Sequence, residues 1–130
     1  MSGYPTELRY TRDHEWTRVE GDVVTVGVTA FAVEQLGDVT LVDLPAKGKT
    51  IETGKAFGVV ESVKSVSDLF APLSGQIVDV NTALADHPEH VNEEPYGKGW
   101  MVKMKVSDPG QLSELLDAAA YEKHVEASSH

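Results

Sequence analysis

Gly58-Val-Val-Glu-Ser-Val-Lys-Ser-Val-Ser-Asp-Leu-Phe70 sets one lysine between two short arms that nearly mirror each other. Val63 and Ser65 flank Lys64, and Ser62 with Val66, then Glu61 with Ser67, continue outward in a run rich in β-branched residues. Such arms suit two antiparallel strands joined by a tight turn, with Lys64 at the tip. An ammonium in that place stays hydrated and protonated, so it is a weak nucleophile but an accessible substrate for another enzyme. An ordinary surface lysine in a hairpin turn has the same charge and spacing, and the rest of the chain must decide between the two.

Upstream of the hairpin, Val39-Thr-Leu-Val-Asp-Leu44 reads as a strand ended by Pro45-Ala-Lys-Gly48, and residues 49–54 as a turn-rich link. Further back, residues 8–20 and Val23-Val-Thr-Val-Gly-Val28 form a hairpin about Gly21-Asp22, with Val24, Val26 and Val28 on the buried face. Thr29 is placed to cap a two-turn helix from Ala30 to Leu36, with Gly37 as its stop. Downstream, Pro72-Leu-Ser-Gly75 repeats the Pro-x-x-Gly pattern, a weak internal repeat, before a strand from Gln76 to Val80. Residues 81–94 read as irregular, with at most a helical turn at 82–85. Trp100, Val102, Met104 and Val106 alternate with Met101, Lys103 and Lys105, as a strand with one wet face requires. Ser107-Asp108-Pro109 starts a helical C-terminus whose apolar stripe is Leu112, Leu115, Leu116 and Ala119, and Asp117 re-caps a second segment to about Val125.

Many short strands between Gly and Pro turns predict a mainly β fold, a small antiparallel barrel or sandwich with short helices and a helical C-terminus. With 130 residues, one domain is expected, its core at about 15–106 and its C-terminal helical segment at about 108–126. At 41% hydrophobic and 25% charged, the composition is that of a globular protein, and no apolar run approaches the ~20 residues that span a bilayer. The formal charge of −10, from 21 acids against 11 bases, repels phosphate backbones and argues against nucleic acid as a partner. Without cysteine there is neither a disulfide nor a protein thiol, so sulfur redox chemistry has to come from a cofactor. The opening Met1-Ser-Gly-Tyr-Pro5 lacks the features of a secretion or transit signal, which makes the cytoplasm the expected compartment. A monomer is expected.

Glu61-Ser-Val-Lys-Ser-Val-Ser-Asp68, followed by Ala71-Pro-Leu-Ser-Gly75, resembles the lipoyl-lysine hairpin of the lipoyl-domain superfamily, in the form found in glycine cleavage system H proteins. His14-Glu-Trp16, Gly27-Val-Thr-Ala30, Leu36-Gly-Asp38, Asn92-Glu-Glu-Pro-Tyr-Gly-Lys-Gly-Trp100 and Ala120-Tyr-Glu-Lys-His124 extend the resemblance over nearly the whole chain. Glu94 departs from the commonest form of its segment, where a Ser- or Asn-like residue is usual.

The resemblance implies a flattened β-barrel of two sheets. It further implies a non-catalytic carrier with lipoate in amide linkage on Lys64, the cofactor doing the chemistry. The implied partners are the decarboxylating glycine dehydrogenase, which loads an aminomethyl group onto the lipoyl sulfur, the aminomethyltransferase, dihydrolipoyl dehydrogenase and the lipoylating enzymes. By the same resemblance, the loaded arm folds into a cleft near the residues matching 13–15 and 68. A protonated amine favours carboxylates, so Glu15 and Asp68 are the cleft candidates. Asp13 stands where the family has a smaller hydroxyl residue and is left unassigned. Glu61, beside the lysine, is the candidate for recognition by the lipoylating enzyme, though it also fits a solvated edge charge.

Several rival readings are weaker. Met101-Val-Lys-Met-Lys105 is similar to the Met-Lys-Met of biotin carriers, but no Met directly precedes Lys103 and strand alternation explains the run. His87-Pro-Glu-His90 offers three metal-ligand types, yet Pro88 disfavours a regular helical display and no distant fourth ligand is evident, so a solvated loop and no metal site are expected. His14 and Trp16 could suggest an active site, but no Ser or Cys nucleophile stands beside a base, and an aromatic on a strand is usually core. A Schiff-base enzyme using Lys64 would need a desolvated or cation-flanked lysine, whereas Glu61 and Asp68 favour the ammonium. A binding or regulatory module of the same fold, or a lipoyl donor to other carriers, shares the hairpin and differs only in modification state and partners.

Overall fold

The structure, a computed structural model, describes residues 4–128. Its strands are β1 (Arg9–Tyr10), β2 (Glu15–Glu20), β3 (Val23–Val28), β4 (Val39–Asp43), β5 (Thr50–Ile51), β6 (Ala56–Ser62), β7 (Val66–Phe70), β8 (Gly75–Val80) and β9 (Val102–Val106). Among the described residues they form a six-stranded sheet, β1-β2-β3-β9-β8-β5, and a three-stranded sheet, β4-β6-β7, and the pairings are antiparallel. The helices are α1 (Ala30–Leu36), α2 (Ala83–Asp86), α3 (Glu89–Glu93) and α4 (Ala118–Ser128), with a 3-10 helix at Pro109–Glu114. None of the described helices is long and apolar enough to cross a membrane.

Val24, Val26, Val60, Leu69, Leu73, Ile77, Val102 and Met104 are buried in one apolar cluster fed by both sheets. Removing their side chains from water is the main force that holds the two layers together. β3 departs from the half-buried strand expected of it, because Thr25 and Gly27 are buried as well as the valines. The second face is taken by Trp16, whose ring carbons would lie 2.6 Å from a Cβ on Gly27. Trp16 belongs to a second cluster with Leu8, Tyr10, Ala118 and Tyr121, which fastens α4 to the β1–β2 end of the larger sheet.

α1 forms as its sequence predicts. Thr29 Oγ1 accepts from Ala32 N–H, and Gly37 closes the helix at φ 77°. The C-terminus also divides at Asp117, whose carboxylate accepts from Ala120 N–H at 2.8 Å. Its first half is the 3-10 helix, capped by Asp108, and it is Ala118 rather than Ala119 that faces the core. Three elements escape the sequence reading. The 8–20 arm is not one strand: β1 splits from it and folds back on β2, with Arg9 opposite Thr17 and Tyr10 opposite Trp16. β5 is held by two register pairs to β8, Thr50 to Gln76 and Ile51 to Gly75. α3 occupies part of the stretch read as irregular, with Pro88 at its N-cap, where a proline's missing N–H costs nothing. The two Pro-x-x-Gly segments each carry the chain from the smaller sheet to the larger. They differ in conformation, since Gly48 has φ 91° and Gly75 is not among the residues of positive φ.

Candidate functional site

β6 and β7 pair as Glu61 to Val66, Val60 to Ser67 and Val59 to Asp68, one residue out of the mirror register centred on Lys64. The tip is therefore Val63-Lys64, spanned by Ser62 N–H donating to Ser65 O at 2.8 Å. Neither tip residue has positive φ. The Ser62 hydroxyl organises the turn instead, accepting from Lys64 N–H at 3.3 Å and Ser65 N–H at 3.2 Å. A second anchor comes from the α1–β4 corner, where Asp38 O accepts from Val63 N–H at 3.1 Å. That corner is clamped by Asn92 of α3, which donates to Gly37 O and accepts from Val39 N–H, both at 2.8 Å. Lys64 is exposed, and a Cβ on Gly37 would stand 3.0 Å from Lys64 Cε. Its aliphatic stem thus lies across a glycine while the ammonium remains in water.

β7 pairs on one side only, with β6. Along its open edge runs a cleft of ≈390 Å³, lined by residues 65–69 on one side, by Phe31, Ala32, Gln35 and Leu36 of α1 on the other, and by residues 13–15. The cleft thus begins at the residue after Lys64. Val63 at the tip and Val66 at the cleft mouth are 69% and 67% exposed, an unusual exposure for valine and one that an apolar guest would reduce.

Glu15 closes the cleft floor at 2% exposure. Thr11 Oγ1 donates to its Oε1 at 2.7 Å, and Phe70 N–H, on the open edge of β7, donates to its Oε2 at 3.3 Å. Burial pushes its carboxyl up to about 8; the bonds from Thr11 and Phe70 oppose the rise without cancelling it. Asp68 is exposed and lines the same cleft, so the two predicted carboxyl residues do meet in one place. Glu61 lies apart from that lining, half-buried in β6, with its carbonyl accepting from Thr40 Oγ1 at 3.3 Å.

His14, passed over as a functional residue in the sequence, lines the cleft as well. Its Nδ1 lies 2.7 Å from the Tyr121 hydroxyl, and burial, with His124 nearby, holds its imidazole below the usual histidine range. Its neighbour Trp16 is core, as expected: it is fully buried and its Nε1–H donates to Pro95 O at 2.9 Å. Several bonds of the 92–100 segment point inward. Besides Asn92 and Pro95, the Tyr96 hydroxyl accepts from Ala30 N–H at 2.9 Å and Tyr96 O accepts from Arg18 at 3.0 Å. Glu94, where the chain departs from the commonest form, is exposed.

The rival sites look different. Lys103 sits in the middle of β9, between β3 and β8, with its ammonium 5.3 Å from the Trp100 ring centroid, so it is no hairpin-tip lysine. His87, Glu89 and His90 do converge, their ligand atoms within 4.8 Å of one another, because Pro88 starts a helix here instead of preventing one. His87 and Glu89 are exposed, and they bond to each other at 3.1 Å.

A family model for the glycine cleavage H-protein matches residues 8–128. The chain is 53% identical over 118 residues to the glycine cleavage system H protein of Bacteroides thetaiotaomicron, covering 91% of this chain and 94% of that protein. To that of Magnetococcus marinus it is 55% identical over 125 residues, covering 96% and 89%. The crystal structure of a glycine cleavage system H protein from Mycobacterium marinum superposes with a TM-score of 0.87 at 45% identity, over 95% of this chain and 99% of that one. An exposed lysine at a doubly anchored tip, a cleft leading from it to a buried carboxyl, and similarity over nearly the full length agree: this chain belongs to the glycine cleavage H-protein family.

Proposed function

We propose that the chain is the lipoyl carrier of a glycine cleavage system, a single non-catalytic domain bearing lipoate in amide linkage on Lys64 Nζ. The observation that carries this reading is the placement of Lys64, exposed at a tip held by Ser62 and Asp38, directly before the cleft beside β7. The residues fit the group. An exposed amine can reach a modifying enzyme, and Val28, Phe31, Leu36, Val60 and Val66 offer an aliphatic arm an apolar wall. When attached, the lipoyl group supplies the redox and group-transfer chemistry that a chain without cysteine lacks.

The protein's part is to hold and release. From Val66 to Phe70 the strand rises roughly 13 Å along the cleft, leading away from the tip that carries Lys64. An aminomethyl cargo ends in an amine that is protonated at neutral pH, and Asp68 at the cleft side with Glu15 at its floor provides the opposite charge. Because burial pushes the Glu15 carboxyl up to about 8, a cation entering beside it favours loss of its proton. Glu61, outside the cleft, is left for recognition of the acceptor lysine by the lipoylating enzyme. The partners on this reading are the decarboxylating glycine dehydrogenase, the aminomethyltransferase and dihydrolipoyl dehydrogenase, acting in the cytoplasm on a monomeric carrier. The net charge of −10 suits basic docking faces.

Reconstitution with the decarboxylating dehydrogenase tests the reading. Lipoylated protein is expected to support glycine-dependent exchange of carbon dioxide and Lys64→Arg to support none; equal activity of the two would overturn it. In cargo-loaded protein, Glu15→Gln and Asp68→Asn are expected to speed release of formaldehyde, and unchanged release in both would remove the cleft from the account.

A further inference from the structure

Among the described residues, His14 is the one residue other than glycine with positive φ, at 71°. That conformation is costly for a side chain of this size and persists where the surroundings impose it. Here they converge from three directions. His14 N–H donates to Thr11 O at 3.2 Å, and His14 O accepts from Thr29 N–H at 3.0 Å. Its Nδ1 is 2.7 Å from the Tyr121 hydroxyl, which in turn is 2.7 Å from Thr29 Oγ1. Tyr121 is wholly buried, with its ring stacked on Tyr10 at 4.7 Å, so α4 presents this hydroxyl from a fixed position.

Counting protons assigns the direction of these bonds. Tyr121 has one hydroxyl proton and two neighbours. Thr29 Oγ1 already accepts from Ala32 N–H at 3.3 Å and has its own proton to give. If Thr29 donates to Tyr121 and Tyr121 donates to His14 Nδ1, every proton is used, and the imidazole carries its own on Nε2. The reverse direction leaves the proton of Thr29, a residue 0% exposed, without an acceptor, which is costly in a buried place. The other groups about the imidazole are Phe31 and His124, with ring centroids at 4.7 and 5.5 Å, and the carboxyl of its chain neighbour Asp13.

The same hydroxyl joins the two sides of the cleft. His14 belongs to the 13–15 wall, and Thr29 begins the helix that supplies Phe31, Ala32, Gln35 and Leu36 to the opposite one. We propose that Tyr121 is a positioning residue for the arm cleft: through His14 and Thr29 it fixes both walls and holds His14 as the neutral, Nε2-protonated tautomer. An imidazolium in that wall would repel a cationic cargo, so a neutral His14 preserves the cleft's preference for an ammonium beside Glu15. This rests on the carrier reading above and adds a residue on α4 that acts on the cargo without touching it.

Tyr121→Phe, which keeps the stacked ring and deletes only the hydroxyl, is the test, made on the full chain. Nitrogen chemical shifts of His14 are expected to report the Nε2-protonated tautomer in the unsubstituted protein and a mixture in Tyr121→Phe. Formaldehyde release from cargo-loaded protein should rise about fivefold, the worth of one neutral hydrogen bond. An Nδ1-protonated His14 in the unsubstituted protein overturns the proposal, as does a Tyr121→Phe protein that melts lower with tautomer and release unmoved. Glu15→Gln and Asp68→Asn separate the two levels: if both leave release unchanged the cleft reading itself fails, whereas if either speeds release and Tyr121→Phe does not, only the role of Tyr121 fails.

Discussion

Glu15 opens β2 with its carboxyl held by Thr11 and Phe70, out of water in the floor of the cleft. Burial raises its folded value to about 8, while the unfolded chain returns it to the ordinary carboxyl range. Between those limits the native protein keeps a proton that the unfolded chain has given up. The stability contributed by this group is therefore greatest below the ordinary carboxyl range and falls as pH rises towards 8, with a slope approaching about 1.4 kcal/mol per pH unit. Denaturant unfolding at a series of pH values checks it: Glu15→Gln should flatten the curve in this window, and coincident slopes for the two proteins would contradict the assignment. The charge of Glu15 was legible in the sequence, but its burial was not, because that depends on an edge N–H of β7 fifty-five residues away. His14 was harder still. Nothing local signals a left-handed histidine when the hydroxyl that holds it comes from the far end of the chain.

At the scale of elements, strands and caps that rest on local chemistry were readable. The β-branched arms about Lys64, the valine alternation of β3 and the Thr29 and Gly37 ends of α1 stand where the residues predict. What failed was set by partners distant in sequence or by one side chain. The tip moved by one residue of register because the Ser62 hydroxyl, rather than a residue of positive φ, closes the turn. β5 has too few residues for a periodicity, and only β8 makes it a strand. The second buried face of β3 required knowing that Trp16 crosses to it. Gly27 shows how tight that crossing is, since Trp16 is pinned through Nε1 to Pro95 and cannot retreat from an added methyl. Gly27→Ala is expected to lower stability by about 1–3 kcal/mol through overpacking. A chemical-denaturation midpoint within error of the unsubstituted protein would contradict this packing.

For the whole molecule, two sheets and a C-terminal helix serve to hold one amine in solvent and one cleft beside it. Asn92 on α3 clamps the corner that anchors the tip, and Tyr121 on α4 reaches both cleft walls, so elements outside the small sheet position what it presents. Most of this architecture was foreshadowed by turn chemistry and by the resemblance of the hairpin, while the cleft itself emerges only when residues 13–15, α1 and β7 are brought together. The central claim is that Lys64 is the attachment point for lipoate. Its most direct measurement is the intact mass, with a peptide map, of this protein and of Lys64→Arg after exposure to an active lipoylating enzyme. The account predicts a single lipoyl amide, mapped to Lys64, and none on the substituted chain; an unmodified Lys64, or a lipoyl group retained by Lys64→Arg, would contradict it.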